Sequence, residues 1–188
     1  MGREFELKYA APAEIHRAIL AAWGPFRKIT METTYFDTPD GALAAEKITL
    51  RLRRENETLV CTLKKPLPQG GQAEWECEAE NLSAGLERLA ESGAPKLTAE
   101  RLIPVCGARF TRMAAMLPTA DGTAELALDQ GVLLGGGREM PLCELEVELK
   151  TGSDEATVAL AEEIARQYGL QPEPRSKFRR AFGLAKGE

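Results

Sequence analysis

Residues 4–8, Glu-Phe-Glu-Leu-Lys, decide the fold of this chain. Acids and a base occupy every second position, and apolar residues lie between them. Successive side chains of a β-strand point to opposite faces, so Glu4, Glu6 and Lys8 share one face while Phe5 and Leu7 share the other. The stretch therefore predicts a strand with one charged face and one apolar face.

The same alternation recurs along the chain. It predicts further strands at residues 31–37, 48–55, 58–65, 72–80, 108–117, 123–129 and 140–150. Their charged faces carry the acidic sets Glu74, Glu76 and Glu78, Glu125 and Asp129, and Glu144, Glu146 and Glu148, and the bases Arg51, Arg53, Lys64 and Arg112. One such strand is typical of an antiparallel sheet with one face in water. Three glutamates alternating on one strand repel each other, however, so the set favours a cation or basic partner between them.

The apolar faces of these strands also need a cover. Amphipathic helices predicted at 12–23, 83–92 and 154–168 can provide it, with Ser83 and Ser153 as predicted N-caps of the last two. The sheet can then curl with its charges inside and its apolar face outside, under the helices. We predict an α+β, mainly β fold: an antiparallel closed tunnel with a charged lumen, flanked by amphipathic helices, in one domain over residues 1–188.

Composition narrows the classes of function. The chain has 188 residues, 28% of them charged and 44% hydrophobic, with a net charge of −5. The acidic balance argues against non-specific nucleic-acid or membrane partners. The four cysteines include no CxxC pair, and no segment resembles a signal peptide or a membrane span. We expect a reduced, soluble, cytoplasmic protein that is a monomer or homodimer.

Several residues have both a functional and a structural interpretation. His16, the sole histidine, is predicted on a helix surface rather than in catalysis. Asp37 is predicted to start a turn rather than bind a ligand. Tyr35 and Trp75 are predicted to pack in the core, although either could stack on a base. The glycines at 135–137 lack the Lys-Ser/Thr of a phosphate-binding P-loop and predict a hairpin, and residues 66–71 predict a loop.

A lumen with acids on one wall and Arg or Lys on another suits one kind of ligand, a polyanion bound through a divalent metal. Carboxylate oxygens hold Mg²⁺ or Mn²⁺, and guanidinium groups fork onto phosphate oxygens. No arrangement of Ser, Cys or His indicates a covalent intermediate.

The opening Glu4-x-Glu6-x-Lys8 resembles the ExExK signature of CYTH domains, the triphosphate tunnel metalloenzymes. The resemblance continues in the family's order through 35–38 (YFDT), 50–53 (LRLR), 62–64 (TLK), 74–76 (EWE), 128–131 (LDQG) and 144–149 (ELEVEL). It implies a tunnel of about eight strands and metal-dependent hydrolysis or cyclisation of triphosphates. One departure is Gln72, where many relatives carry Arg. Because the chain ends at Glu188, the resemblance also implies the stand-alone form, without a following CHAD domain.

Carried over residue by residue, the resemblance implies roles for individual side chains. The implied catalytic residues are Glu4, Glu6, Lys8 and Glu148. The implied ligands of Mg²⁺ or Mn²⁺ are Glu4, Glu6, Asp129, Glu146 and Glu148, with Glu144 as a register alternative. The implied substrate-binding residues are Lys8, Arg51, Arg53, Lys64, Glu76, Arg112 and Lys177, the last in a tail that closes over one tunnel end.

The leading functional expectation is hydrolysis of inorganic tripolyphosphate, a small polyanion, to pyrophosphate and phosphate. Thiamine triphosphatase and adenylyl cyclase activity of the same fold are alternatives. A non-catalytic polyphosphate- or nucleotide-binding module is a third, although a binder needs the cations more than the carboxylates.

Overall fold

The computed structural model describes residues 2–68 and 71–188. The strands in chain order are β1 Gly2–Glu4, β2 Glu6–Ala10, β3 Arg27–Asp37, β4 Thr49–Glu55, β5 Thr58–Pro66, β6 Gln72–Glu78, β7 Ile103–Pro118, β8 Thr123–Gly135, β9 Arg138–Thr151 and β10 Gln171–Pro172. The α-helices are α1 Ala13–Ala22, α2 Ala42–Ala45, α3 Leu82–Glu91, α4 Asp154–Tyr168 and α5 Lys177–Lys186, and a 3-10 helix spans Ala99–Arg101.

All strand pairings are antiparallel, in the order β1-β6-β5-β4-β3-β7-β8-β9-β2-β10. The opening segment contacts both flanks of this sheet. Glu4 of β1 pairs with Gln72 of β6, whereas Glu6 of β2 pairs with Glu148 of β9. The sheet therefore curls around an internal cavity of about 620 Å³, which we call the lumen.

The predicted antiparallel, mainly β tunnel is confirmed, with two corrections. The sheet has ten strands rather than about eight, because the opening strand divides at Phe5 and the short β10 pairs with β2. The sheet is also not closed, since its hydrogen-bonded order runs from β1 at one edge to β10 at the other. Its two flanks are joined covalently instead, because only Phe5 separates β1 from β2.

The apolar face of the sheet lies on the outside, under helices, as predicted. One outer cluster joins α1 and α4 to the sheet through Ile19, Leu126, Leu128, Leu145, Val147 and Ile164, all at most 1% exposed. A second joins α3 to the sheet through Leu50, Leu63, Trp75, Leu86 and Leu89. Burial stabilises the fold by about 1.5–3 kcal/mol for each large aliphatic side chain. The inner face carries charge over much of its area. It also has apolar residues, because Ile29 and Met31 line the lumen and belong to a third cluster that includes Ala181 of α5.

Two helix starts were predicted, and one is corrected. The Ser153 side chain accepts a hydrogen bond from the Ala156 N–H (3.2 Å), which confirms it as the N-cap of α4. The predicted cap Ser83 is wrong, because α3 begins earlier, at Leu82. Asn81 caps it by accepting from the Ala84 N–H (3.0 Å).

The single-residue predictions have mixed outcomes. Asp37 starts a turn, as predicted, and accepts hydrogen bonds from the N–H groups of Thr38 (2.7 Å) and Leu43 (2.8 Å). The surface position predicted for His16 is wrong, because His16 is 4% exposed. Its Nε2 lies 3.8 Å from the Cys143 Sγ, and burial lowers its pKa. A buried imidazole on the outer side of the sheet is a packing residue.

Two predicted connections, a loop and a hairpin, have different outcomes. The predicted loop at 66–71 includes residues 69 and 70, which lie outside the described residues. The predicted hairpin at 135–137 is confirmed, since β8 and β9 pair on both sides of it. In the described part of the chain, we find no helix long and apolar enough to cross a membrane.

Candidate active site

The lumen gathers most of the predicted site residues. The cavity is lined by Glu4, Glu6, Lys8, Arg51, Arg53, Lys64, Glu76, Arg112, Glu146, Glu148 and Lys177. They converge because the period-2 alternation of the strands points every second side chain inward. Asp129 is the exception, because it is fully buried behind the lining and is bound by two cations.

One wall of the lumen is basic. Arg51 on β4 and Lys64 on β5 point inward from neighbouring strands. The Arg51 Nη2 lies 3.6 Å from the Glu76 Oε2, and the Lys64 Nζ forms ion pairs with Glu4 and with Glu74 (3.4 Å). The Nε of Arg51 is buried and has no hydrogen-bond partner among the described residues. This wall therefore retains capacity to donate to a ligand.

Arg53 lies next along this wall and is 5% exposed. Its Nε donates to the Thr33 Oγ1 (3.2 Å), and its Nη1 donates to the Glu55 Oε1 (3.4 Å). Burial lowers the Arg53 pKa, and the positive charges of Arg51 and Arg112 lower it further. A cation surrounded by other cations is stabilised by an added anion, so this region of the lumen favours an anionic ligand.

The opposite wall is acidic. Glu148 on β9 lies between two other glutamates. It is paired in register with Glu6 on β2 and, on the other neighbouring strand, with Glu125 on β8. Lys8 donates to Glu6 (2.9 Å), and Lys150 lies 2.8 Å from Glu148. Burial raises the Glu148 pKa, and the nearby carboxylates of Glu4 and Glu125 raise it further. Lys150 lowers this pKa, but the net shift is upward. A metal cation between these carboxylates would relieve their repulsion.

A buried ionic network lies beneath the acidic wall, at the end of the lumen that α5 covers. Arg112 forks onto Asp129, with Nε–Oδ1 2.8 Å and Nη2–Oδ2 2.7 Å, and also bonds Glu146. The Lys177 Nζ lies 2.7 Å from both the Asp129 Oδ2 and the Glu146 Oε1, and it pairs with Glu144. The carboxylates of this network are thus paired with cationic side chains of the chain itself, Arg112 and Lys177.

These contacts set the pKa values of the network. Burial alone would raise the pKa of Glu146, but Lys177 and Arg112 hold it well below its usual value. The Asp129 pKa is lowered, since the same two cations outweigh its burial. The Glu144 pKa is raised instead, chiefly by burial. The Lys177 pKa is raised, because three carboxylates outweigh its desolvation.

The predicted metal ligands fall into two groups. Oxygen atoms of Asp129, Glu144 and Glu146 lie within 4.8 Å of one another, close enough to hold a metal ion. The Lys177 ammonium already lies among them. Glu4, Glu6 and Glu148 form the second group and face the lumen, which Glu146 of the first group also lines. Both groups offer the hard oxygen donors that Mg²⁺ and Mn²⁺ prefer. Because Lys177 lies among the oxygens of the first group, the second group fits such an ion better.

Sequence reasoning missed residues at the lumen. Arg27 lines it and pairs with Glu125 (3.1 Å), and Glu55 lines it beside Arg53. The predicted strand began at residue 31, whereas β3 begins at Arg27. Alternation could not have found Arg27, because it shares its face of β3 with the apolar Ile29 and Met31, which the pattern would have placed outside.

The two aromatic residues considered for stacking are both buried, as predicted. Trp75 packs in the outer cluster under α3. Tyr35 lies in the lumen wall, where its ring centroid is 5.2 Å from that of Phe178 on α5. The residues that precede and begin α5 line the same end of the cavity, so α5 lies over it.

A curled antiparallel sheet with an ion-paired lumen and a helix-covered outer face defines a tunnel class of β protein. Comparison with protein families agrees with this class, since the model of the CYTH domain matches residues 2–182. The chain belongs to the CYTH domain family.

A curated relative and several solved structures are similar to this chain. The inorganic triphosphatase of Haemophilus influenzae is 26% identical over 200 residues, covering 98% of this chain and 55% of the relative. The chain therefore spans about half the length of that relative. A Pyrococcus horikoshii OT3 protein superposes with a TM-score of 0.68 at 21% identity, covering 98% of this chain and 99% of the other.

A Hippeastrum protein also superposes, with a TM-score of 0.67 at 22% identity, covering 97% of this chain and 96% of the other. It is described as a "putative adenylyl cyclase" with a dominant triphosphatase activity. At these identities, both superpositions show a shared fold.

Proposed function

We propose that this chain hydrolyses inorganic tripolyphosphate to pyrophosphate and phosphate in the lumen, with Mg²⁺ or Mn²⁺. One observation carries the proposal: a single cavity places inward Arg and Lys side chains opposite inward glutamates. A small polyanion and its metal ion can then be held together. The similarity to a relative named inorganic triphosphatase supports the choice of substrate.

The basic wall would hold the phosphates. Arg51 has a buried Nε without a partner among the described residues, and Arg53 has its pKa lowered by its basic neighbours. Both features favour phosphate oxygens as additional acceptors. With Lys64 on the next strand, these groups would orient the substrate and stabilise charge that develops on the departing pyrophosphate.

The acidic wall would hold the metal ion, through Glu4, Glu6 and Glu148, with Glu146 at its buried edge. When bound, Mg²⁺ or Mn²⁺ would neutralise phosphate charge and acidify a nearby water. The water oxygen attacks the terminal phosphorus as the bond to the pyrophosphate oxygen breaks. A lumen glutamate takes the water's proton.

Three other functions use the same lumen: thiamine triphosphate hydrolysis, cyclisation of ATP, and phosphate binding without turnover. Because the Tyr35 ring packs on Phe178, it does not provide a free surface on which a nucleobase could stack.

The decisive experiment measures phosphate release from tripolyphosphate, ATP and thiamine triphosphate with Mg²⁺, Mn²⁺ or EDTA. We expect tripolyphosphate to be preferred and EDTA to abolish turnover. Formation of cyclic AMP from ATP would indicate adenylyl cyclase activity. If none of the three substrates were turned over, the proposal that this chain is an enzyme would be contradicted.

The same assay tests the acidic wall. Glu148→Gln should lower the metal-dependent rate by about 100-fold, because it removes a metal-side carboxylate. Glu139→Gln is the matched control, since Glu139 is an exposed residue of the same strand that pairs with Arg109 on the outer face. Equal rates for the two variants would exclude the proposed role of Glu148.

A further inference from the structure

The lumen has two ends of different character. At one end Tyr35 of β3 touches Phe178 of α5. Arg27, at the start of the same strand, lies about 26 Å away at about 3.3 Å per residue. Arg27 also lines a second cavity, of about 420 Å³, which we call the outer chamber. The outer chamber therefore lies toward the end of the lumen away from α5.

The outer chamber is continuous with the lumen. The two cavities share Arg27, Ile29, Glu55 and Glu76 as lining residues. The remaining wall comes from the β4–β5 turn and from the end of β6, including Asn56, Thr58 and Glu78. A polyanion bound along the lumen cations, if longer than the lumen, would therefore extend into this chamber.

The charge of the outer chamber opposes such an extension. Its lining has three carboxylates against one guanidinium: Glu55, Glu76, Glu78 and Arg27. Arg27 is paired with Glu125 (3.1 Å). Two of the carboxylates are also paired, Glu55 with Arg53 (3.4 Å) and Glu76 with Arg51 (3.6 Å). Glu78 is exposed, and no described residue forms an ion pair with it. The basic wall thus gives way to a chamber in which the carboxylate of Glu78 is negative charge without an ion-pair partner among the described residues.

We propose that the carboxylates of the outer chamber restrict the enzyme to short linear polyphosphates. A triphosphate fits among the lumen cations, whereas a chain longer than the lumen places its additional phosphates against Glu78. Like charges this close repel, and salt screens the repulsion. This inference rests on the proposed function, because it assumes that tripolyphosphate binds in the lumen.

Glu78 allows a clean test, since it lines the outer chamber but not the lumen and has no assigned role in binding or catalysis. The experiment measures the KM for tripolyphosphate and the inhibition constant of long-chain polyphosphate, at fixed free Mg²⁺ and low salt. Glu78→Lys should tighten inhibition by long-chain polyphosphate about fivefold. The KM for tripolyphosphate should stay within about twofold, and Glu78→Gln should give an intermediate constant.

Glu80→Lys is the matched control, because Glu80 is exposed and lines neither described cavity. It should leave both constants unchanged, and high salt should remove the effect of Glu78→Lys. Equal shifts in the two lysine variants, or none in either, would overturn the proposal. If the wild type does not hydrolyse tripolyphosphate, the proposed function fails separately. Displacement of a bound fluorescent phosphate probe by each polyphosphate then gives the same comparison.

Discussion

A single ammonium group, that of Lys177, lies among three buried carboxylates. Taking these charges out of water is costly, and only close pairing offsets that cost. The distances of 2.7 Å to Asp129 and Glu146 provide such pairing. Since Lys177 begins α5, the network also fastens this helix over the end of the lumen.

Lys177→Met should therefore destabilise the protein at neutral pH. We expect the free energy of unfolding to fall by about 3–5 kcal/mol, because the variant leaves buried carboxylates short of a cation. Lys186→Met, at the exposed end of the same helix, should change it by less than about 0.5 kcal/mol. Urea denaturation of both variants measures the difference. A fall no larger than that of the control would contradict the structural role of Lys177.

The pH dependence of this loss has a definite sign. The lowered pKa of Glu146 gives stability that is present above its ordinary value of 4.5 and is lost as pH falls toward its folded value. The raised pKa of Lys177 gives stability that is present below 10.5 and is lost as pH rises beyond it. The effect of Lys177→Met should be largest between these limits and shrink in acid. A difference that stays constant as the pH falls below 4.5 would argue against ionic coupling.

Among the elements, α3 shows how local chemistry sets a helix start. Its first turn has unpaired N–H groups, and the Asn81 side chain satisfies one of them. The helix then packs closely on the sheet at Gly85, where an added Cβ would lie 2.5 Å from the Cys61 Cβ. Ser83 and Asn81 are both good capping residues, so the sequence alone could not choose between them. Tertiary packing at Gly85 fixes the register.

Two alanine variants test which residue, Asn81 or Ser83, is the N-cap of α3. Asn81→Ala should lower the free energy of unfolding by about 1 kcal/mol, because it removes the cap. Ser83→Ala should have little effect, since Ser83 is exposed and lies inside the first turn. Chemical denaturation at neutral pH compares them. A larger loss for Ser83→Ala would show that the helix begins where the sequence first indicated.

At the scale of the whole molecule, alternation predicted the inward charged face of β2, β4, β5, β6, β8 and β9, but not that of β3, whose inner face is largely apolar. It could not predict closure, because whether the two flanks of the sheet meet depends on the backbone at Phe5. Alternation also placed Glu4, Glu146 and Glu148 together on the inner face without revealing their cations. Pairing of Lys177 with Glu146 spans 31 residues and depends on where α5 docks. Long-range ionic contacts of this kind leave no local pattern.

The central claim is that the inner, charged face of the tunnel binds and hydrolyses triphosphate, and two arginines of β4 test it most directly. Arg51 points into the lumen, whereas Arg54 is exposed on the outer face. The measurement is kcat/KM for tripolyphosphate hydrolysis with Mg²⁺ for Arg51→Ala and Arg54→Ala. We predict a loss of at least about 30-fold for Arg51→Ala and wild-type activity for Arg54→Ala. Equal activity in the two variants, or no hydrolysis by the wild type, would contradict this claim.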